Sequence, residues 1–263
     1  MILYKYVDCR SGMKILESNS IGFRQPSFFN DPFELTAAYS RSDHGNMFVP
    51  AMAWAKQQMW AEKYAVLSLT RSPLNPLMWA HYGDSHQGFV IGIDVTCKLL
   101  SGEQENYIPV QYGNVIYTES KPVHDFVSKF KEPLLVGSTY EFNPQHYEKT
   151  QRLFLHKPMY WSYEEEVRVV KCIHGYDMRE IPSGTFDKIE TKSGPLYLTS
   201  LPKSTIKEVY VGARSPLAPF GPDFGDINEF VSSVSDKFSG ILVHACYAGD
   251  NNWGLESKLL KNG

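Results

Sequence analysis

The stretch WSYEEEVRVV, residues 161–170, joins three successive glutamates to alternating valines and an arginine. The valine alternation predicts a β-strand, in which successive side chains point to opposite faces of a sheet. Glu164, Glu166 and Arg168 would then share one face at intervals of roughly 6–7 Å, while Glu165 lies on the other. Two carboxylates and a guanidinium on one face can bind a polyhydroxyl ligand or stabilise a cationic transition state. The alternative, which the local sequence favours, is a solvated face whose exposed Glu–Arg pair contributes under about 1 kcal/mol.

Strand patterns recur on both sides of this stretch. They are ILYKYV (2–7), SIGFR (20–24), YAVLSLT (64–70), GFVIGIDV (88–95), PVQYGNVIY (109–117), PLYLTSL (195–201), IKEVYVGA (206–213) and ILVHACYA (241–248). Helical patterns are fewer and cover residues 48–63, 75–83, 143–157 and 226–239. Because strands outnumber helices and do not alternate strictly with them, the order of elements predicts an α+β fold. No linker rich in Pro, Gly or Ser divides the chain, so we expect residues 1–263 to form a single domain.

Two of the predicted helices have well-marked ends. Asn75 is placed to cap the helix that starts at Pro76, and Gly83 follows its last residue. Asp226 is placed to cap the helix near the end of the chain, which carries an apolar stripe on one side. These residues set the boundaries of the two helix predictions.

The composition argues against several classes of protein. The chain has 263 residues, 43% of them hydrophobic, a formal net charge of −3 and four widely spaced cysteines. A strongly basic surface is therefore not expected overall, although a local basic groove stays open. The lack of C-x-x-C pairs argues against a zinc knuckle, and the lack of G-x-G-x-x-G and P-loop motifs argues against Rossmann and Walker sites. Without a signal peptide or an apolar run of membrane-spanning length, we expect a reduced, cytoplasmic protein with no membrane contact.

The segment FFNDPFE, residues 28–34, contains a turn signature. Asn30 and Asp31 can bond their own backbone, and Pro32 fixes its own φ. Turn chemistry accounts for these residues without a ligand. The functional alternative makes Asn30 and Asp31 polar groups that face a ligand from a fixed turn.

A third candidate segment follows the capped helix at residue 76. Trp79 and Tyr82 lie three residues apart and share a helix face, which is typical of core aromatics and also suits stacking on a base or a nicotinamide ring. His81, Asp84 and His86 include two histidines, the commonest metal-binding side chain, but their spacing across a helix end matches no metal-site template. We therefore predict no metal site in this segment.

Taken together and in this order, the segments resemble a bacterial family known as domain of unknown function 2971. Its pattern has four blocks, LYKY, FNDPFE, MW-x-x-Y-x-x-x-H-x-G and W-x-x-E-x-E-x-R. Here the blocks are Leu3–Tyr6, Phe29–Glu34, Met78–Gly88 and Trp161–Arg168. The resemblance covers roughly residues 2–215. It says little by itself about activity.

The order of elements resembles, more loosely, the ADP-ribosyltransferase fold, especially its DNA- and RNA-modifying toxin branch. This resemblance implies a mixed or antiparallel split sheet flanked by helices, and NAD as a substrate. It implies eight NAD-binding residues, namely Lys5, Tyr6, Asn30, Asp31, Trp79, Tyr82, His86 and Arg168. It also implies that Glu164 or Glu166 is the catalytic glutamate and that no metal is needed. The acceptor would be a nucleic acid or a protein, and an antitoxin or another defence protein would be the partner.

The residue types suit this chemistry. Breaking the nicotinamide glycosidic bond develops oxocarbenium character, as in glycoside hydrolysis. A carboxylate beside the ribose would bond its hydroxyls and stabilise the developing positive charge. Arg168 could orient that carboxylate or bind pyrophosphate with two parallel hydrogen bonds.

Two other functions stay open. A metal-dependent nuclease could use Asp94, at the end of a predicted strand, together with Glu166 in the sequence Glu166-Val167-Arg168, which resembles an E-x-K motif. A non-catalytic sensor or binding module is the third reading, and it requires that Glu164 and Glu166 be solvated with no pocket beside them.

Overall fold

A computed structural model describes most of the chain. The described residues are 1–35, 48–121, 141–147, 153–174, 186–217 and 227–260. In chain order the strands are β1 (Ile2–Val7), β2 (Ser20–Phe23), β3 (Tyr64–Thr70), β4 (Phe89–Asp94), β5 (Ile116–Thr118), β6 (His156–Pro158), β7 (Glu166–Cys172), β8 (Asp187–Thr191), β9 (Gly194–Ser200), β10 (Ile206–Val211), β11 (Leu242–Ala248) and β12 (Leu255–Leu260). The α-helices are α1 (Cys9–Ser18), α2 (Phe48–Lys63), α3 (Pro76–Tyr82), α4 (Lys98–Ser101) and α5 (Ile227–Lys237). Short 3₁₀ helices cover Pro26–Phe28, Val110–Tyr112, Pro144–His146, Met159–Glu164 and Lys203–Thr205.

Seven strands form one mixed sheet in the order β12-β11-β10-β4-β1-β3-β7. Its neighbours are antiparallel except β10 and β11, which run parallel. Strands β3, β4 and β7 are almost wholly buried, which explains their near-continuous apolar sequences. Helix α5 covers one face of the sheet with its apolar stripe, and the ring of Phe230 stacks on that of Phe89 with centroids 5.4 Å apart. These strands and helices confirm the predicted α+β class.

Two smaller sheets accompany the large one. Strands β2, β9 and β8 form an antiparallel sheet in that order, and β5 pairs in parallel with β6. The three-stranded sheet meets the large sheet at an isolated bridge between Arg24, just after β2, and Val66 of β3. Their backbones exchange two hydrogen bonds of 3.0 and 2.8 Å. This bridge fixes the spacing between the two sheets on one side of the cavity described below.

The outer edge of β7 is covered by the chain that precedes β5. The backbones of Ile108 and Val170 exchange hydrogen bonds of 3.0 and 3.1 Å, and the Arg168 amide donates to the Gly113 carbonyl at 2.8 Å. Only glycine fits at position 113, because an added Cβ would lie 1.8 Å from the Arg168 carbonyl oxygen. The edge strand that carries Glu166 and Arg168 is therefore hydrogen-bonded on both sides.

The prediction of a strand from residue 161 is wrong in its first half. Residues Met159–Glu164 form a 3₁₀ helix, Glu165 takes a left-handed conformation with φ of 44°, and β7 begins at Glu166. The turn at Glu165 aims that side chain at solvent and leaves both its neighbours buried. Glu166 and Arg168 share a face of β7 through the predicted strand alternation, and the turn at Glu165 brings Glu164 beside them.

Of the other helix and strand predictions, some are confirmed and some are wrong. The helix 48–63 and the capped helix at 76 are confirmed. The expected strand at 109–117 is instead a 3₁₀ turn followed by the short β5. The predicted helix 143–157 is wrong at both ends, where a 3₁₀ turn and then β6 are found, and its residues 148–152 lie outside the described residues. The proposed cap Asp226 also lies outside them.

Candidate functional site

A cavity of about 630 Å³ lies between the large sheet and the three-stranded sheet. Strands β1 and β3, helix α3 and the start of β7 form one wall, and β2, β8 and β9 contribute to the other. Seven of the residues predicted for the site line it, namely Lys5, Tyr6, Asn30, Tyr82, Glu164, Glu166 and Arg168. The structure thus brings together residues from four distant parts of the sequence.

Arg168 is the centre of the charged network at this cavity. Its guanidinium forms two hydrogen bonds with Glu34, of 2.8 and 2.6 Å, and two with Glu166, of 2.9 and 3.0 Å. The fifth N–H donates to the Phe154 carbonyl at 2.6 Å. All five donors of the guanidinium are therefore used within the protein. Arg168 is 1% exposed and orients Glu166, and it has no N–H left for a pyrophosphate.

Lys157 links the two glutamates of the opening stretch. Its Nζ lies 2.5 Å from Glu164 Oε2 and 3.2 Å from Glu166 Oε2, and 4.0 Å from Glu34 Oε1. The Trp161 ring packs over the same Nζ at 5.1 Å. Three buried carboxylates thus share two buried cations, which agrees with the rule that buried charges are paired.

The two glutamates have opposite electrostatic surroundings. Burial alone would raise the pKa of Glu166, but Arg168 and Lys157 outweigh it and hold that pKa far below its ordinary value. Burial raises the pKa of Glu164, and the charge of Glu166 adds to the increase while Lys157 opposes it. Glu166 is therefore a fixed anion, whereas Glu164, whose pKa is raised, takes up a proton more readily than Glu166. Two carboxyl groups whose pKa values are pushed apart are the arrangement that acid–base catalysis uses.

Helix α3 brings Tyr82 to Glu164. The Tyr82 hydroxyl donates to Glu164 Oε1 at 2.7 Å, and the Asn30 side chain lies beside that hydroxyl. Asn75 caps the helix by accepting from the backbone N–H groups of residues 77 and 78, as predicted. Its amide also donates to the Tyr163 carbonyl at 2.7 Å, which ties α3 to the 3₁₀ helix that ends at Glu164.

Lys5 and Tyr6, the two predicted site residues on β1, contribute differently to the cavity. Lys5 Nζ donates to the Ser68 carbonyl at 3.0 Å and faces the cavity. Burial lowers the pKa of Lys5 to about 8, since the opposing attraction of Glu166 is smaller. Tyr6 is nearly buried and donates to the Ser72 carbonyl at 2.9 Å. Its ring packs edge-on against Trp79, so Tyr6 shapes the wall more than it offers a polar group.

Three predicted ligand residues lie away from this cavity. Trp79 is fully buried, and its indole N–H donates to the Pro73 carbonyl at 2.8 Å, so it belongs to the core. His86 lines a separate cavity of about 550 Å³ beside the loop 249–254. Asp31 is 5% exposed and accepts from the Phe33 amide at 2.9 Å, which is the predicted turn. These three residues are not brought together with the glutamates.

Sequence reasoning missed two members of the network. Glu34 ends the FNDPFE block, but it is separated from its partner Arg168 by 134 positions and no local pattern signals the pair. Lys157 lies in a segment that was predicted as helix and is observed as β6. The signal that could have found Glu34 was its place at the end of the FNDPFE block, which also holds the predicted site residues Asn30 and Asp31.

The nuclease hypothesis requires Asp94 and Glu166 to bind the same metal ion, and their positions in the sheet do not allow it. Within the described ranges, no group of three or more His, Cys, Asp or Glu is placed to hold a metal ion. Asp94 of β4 accepts hydrogen bonds from Thr96 and the N-terminal amine. Three strand spacings separate β4 from β7, so the backbones of Asp94 and Glu166 are at least about 14 Å apart. On a separate point, no helix in the described part of the chain has the length and apolar character needed to span a membrane.

The fold and the cavity define a class of protein, an α+β protein with a buried carboxylate pair at a cavity between two sheets. Residues 78–169 match a family described as "Protein of unknown function (DUF2971)". The match begins in α3 and ends in β7, and so includes Tyr82, Lys157, Glu164, Glu166 and Arg168. No curated protein and no solved structure matches the chain.

Proposed function

We propose that this chain is an NAD-dependent ADP-ribosyltransferase-like enzyme. One observation carries the proposal, namely that Glu164 and Glu166 face one cavity and have pKa values displaced in opposite directions. A reaction that passes through an oxocarbenium-like state needs a fixed anion beside the sugar and a group that accepts a proton. The ADP-ribosyltransferase-like fold is part of the same proposal, which the pairing of a large and a small sheet around the cavity supports.

Glu166 is proposed as the fixed anion. The bond between the ribose C1′ and the nicotinamide nitrogen breaks, and its electron pair leaves with neutral nicotinamide. Positive charge then develops on the ribose, where a carboxylate that stays ionised stabilises it. Arg168 acts as a positioning residue, since four of its five hydrogen bonds hold Glu166 and Glu34.

Glu164 is proposed as the proton acceptor. Within the described residues each of its carboxylate oxygens accepts one hydrogen bond, Oε1 from Tyr82 and Oε2 from Lys157, so each keeps a lone pair for a ribose hydroxyl or an acceptor. As the acceptor nucleophile bonds to C1′, its proton passes to Glu164. The raised pKa of Glu164 makes it a better base than an exposed glutamate.

The acceptor, the biological role and the location are proposed from the family resemblance. The acceptor is a nucleic acid or a protein, and the role is that of a cytoplasmic effector in defence or a toxin–antitoxin system, where an antitoxin is the partner. The nuclease reading has less support because Asp94 and Glu166 lie on separated strands. The binding-module reading has less support because both glutamates are buried at a cavity.

The experiment measures nicotinamide release from NAD, alone and with protein, DNA or RNA as acceptor. We expect release by the wild type, and losses of at least about 100-fold for Glu164→Gln and Glu166→Gln, given the usual contribution of a catalytic acid or base. Glu165→Gln is the matched control, because it makes the same change at the exposed residue between them. A wild type that neither releases nicotinamide nor binds NAD would contradict the proposal, as would equal activity in all three variants.

A further inference from the structure

Three cations line the cavity in addition to Arg168 and Lys157, which bind the glutamates. They are Arg24, Lys14 and Lys5, and none of them lies in a salt bridge within the described residues. Arg24 follows β2 and is half-buried, and among the described residues its side chain makes one hydrogen bond, to the Ser193 carbonyl at 3.2 Å. Four of its five N–H donors are thus without a partner in the described part of the chain. This contrasts with Arg168, whose five donors are all used.

Arg24 and Lys5 affect one another electrostatically. The positive charge of Arg24 contributes to the low pKa of Lys5, after burial, which is the larger cause. Burial also lowers the pKa of Arg24. Glu166 and Glu164 attract Lys5 without forming an ion pair with it, so a bound anion would still relieve the repulsion between Arg24 and Lys5.

Asp8 is a further acidic residue of the cavity, and it is already engaged. Asp8 lines the cavity, and its carboxylate accepts from the Ser11 amide at 2.8 Å and from the Ser11 hydroxyl at 2.6 Å. It therefore caps α1 and forms no salt bridge with Arg24, Lys14 or Lys5. Lys14 is exposed at the rim of the cavity, where it adds positive charge to the approach.

We propose that Arg24 and Lys5 form an anion subsite that binds the phosphate groups of the cavity's ligand. An arginine with free donors and a lysine are the side chains that recognise phosphate oxygens. The cavity would then take a molecule with phosphates at one end and a hydroxyl-bearing sugar at the glutamate end. For NAD, this inference rests on the proposed function, and it assigns the pyrophosphate to Arg24 and Lys5 instead of Arg168.

Calorimetry with inorganic pyrophosphate and with ADP-ribose tests the subsite. We expect both probes to bind the wild type and to bind more weakly as salt rises. Arg24→Met keeps an aliphatic chain and should weaken both probes at least about 10-fold, the effect of losing one charge-assisted hydrogen bond. Arg10→Met is the matched control, because Arg10 is exposed and does not line the cavity.

A second measurement needs no variant. Lys5 should react with an acylating reagent as its amine deprotonates, with a midpoint near pH 8, and pyrophosphate should protect it. The exposed Lys98, which is paired with Glu105, should not be protected. Mass spectrometry of the labelled peptides reads both sites in one sample.

Two results would overturn the subsite. One is equal affinity for pyrophosphate in Arg24→Met and Arg10→Met, and the other is absence of both pyrophosphate binding and Lys5 protection in the wild type. Failure of the proposed function gives a different result, since pyrophosphate would still bind at Arg24 while NAD released no nicotinamide.

Discussion

A single buried guanidinium holds two carboxylates of the site in place. Removing water from two glutamates and an arginine costs several kcal/mol per ion, and hydrogen bonds must compensate for that cost. Arg168 does so with four N–H donors in two parallel pairs, which is the geometry that lysine cannot reproduce. The orientation of Glu166 therefore depends on Arg168 and, through it, on Glu34.

Replacing Arg168 by methionine should destabilise the protein by about 3–5 kcal/mol, because Glu34 and Glu166 would be left buried with less positive charge. Arg168→Lys should recover only part of this loss. Urea unfolding monitored by circular dichroism measures the free energy of unfolding. Lys188→Met is the control, since Lys188 and Glu190 form an exposed pair 3.3 Å apart and we expect under about 1 kcal/mol there. Losses of similar size at positions 168 and 188 would refute the structural importance of the network.

At the scale of elements, two short helices carry one half of the site. Helix α3 supplies Tyr82 and the 3₁₀ helix Met159–Glu164 supplies Glu164, and neither is long enough to be stable alone. Asn75 joins them, because its carbonyl oxygen caps α3 while its amide donates to Tyr163. One side chain thus determines both the start of a helix and the distance between two candidate site residues.

The two roles of Asn75 can be separated. Asn75→Asp keeps the capping acceptor and loses the amide donor, whereas Asn75→Ala loses both. We expect Ala to cost about 0.5–2 kcal/mol more than Asp in the free energy of unfolding, since the cap contributes that amount. Nicotinamide release should fall in both variants, because both loosen the Tyr82–Glu164 contact. Equal unfolding free energies for Asp and Ala would mean that the cap does not stabilise α3.

Sequence patterns predicted the elements that are governed by local rules. The apolar runs of β3 and β4 were found because both faces of these strands are buried, and α3 was found from its cap, its proline and its glycine. The left-handed turn at Glu165 was missed because glutamate rarely adopts positive φ and only the surrounding packing holds it there. Glu34 was missed as a site residue because its partner Arg168 is 134 positions away, and Lys157 was missed because its segment was predicted as helix although it forms β6.

At the scale of the whole molecule, elements of both sheets bring charged residues to the cavity. The glutamates lie at the start of β7, Lys5 lies on β1, and Arg24 follows β2 of the small sheet. The bridge between Arg24 and Val66 sets the spacing of the two sheets and places the Arg24 side chain at the same time. Folding of the small sheet on the large one is therefore required to complete the site.

The buried network should make stability depend on acid. The pKa of Glu166 in the folded protein is well below the value of about 4.3 expected for an unfolded chain, so the unfolded state binds more protons between the two values. Its contribution to stability is then complete above about pH 4.3 and is lost as pH falls through the folded value. We expect the free energy of unfolding of the wild type to fall by up to about 1.4 kcal/mol per pH unit more than that of Glu166→Gln in this window. Denaturant titrations between pH 5 and 3 measure it.

Glu165→Gln is again the control for the acid experiment, since the residue is exposed. Its unfolding free energy should follow the wild-type pH curve. Parallel curves for Glu166→Gln and the wild type would contradict a strongly stabilised carboxylate at position 166.

The covered outer edge of β7 also affects how copies of the chain meet. An open edge strand offers unpaired amides and carbonyls to another molecule, and such pairing leads to aggregation or domain swapping. Here the close approach at Gly113 and the bonds of Ile108 use those groups within the chain. A side chain at position 113 would push this cover away and expose a strand rich in valine. Gly113 therefore helps to prevent aggregation through the edge of β7 and also preserves the geometry of Arg168.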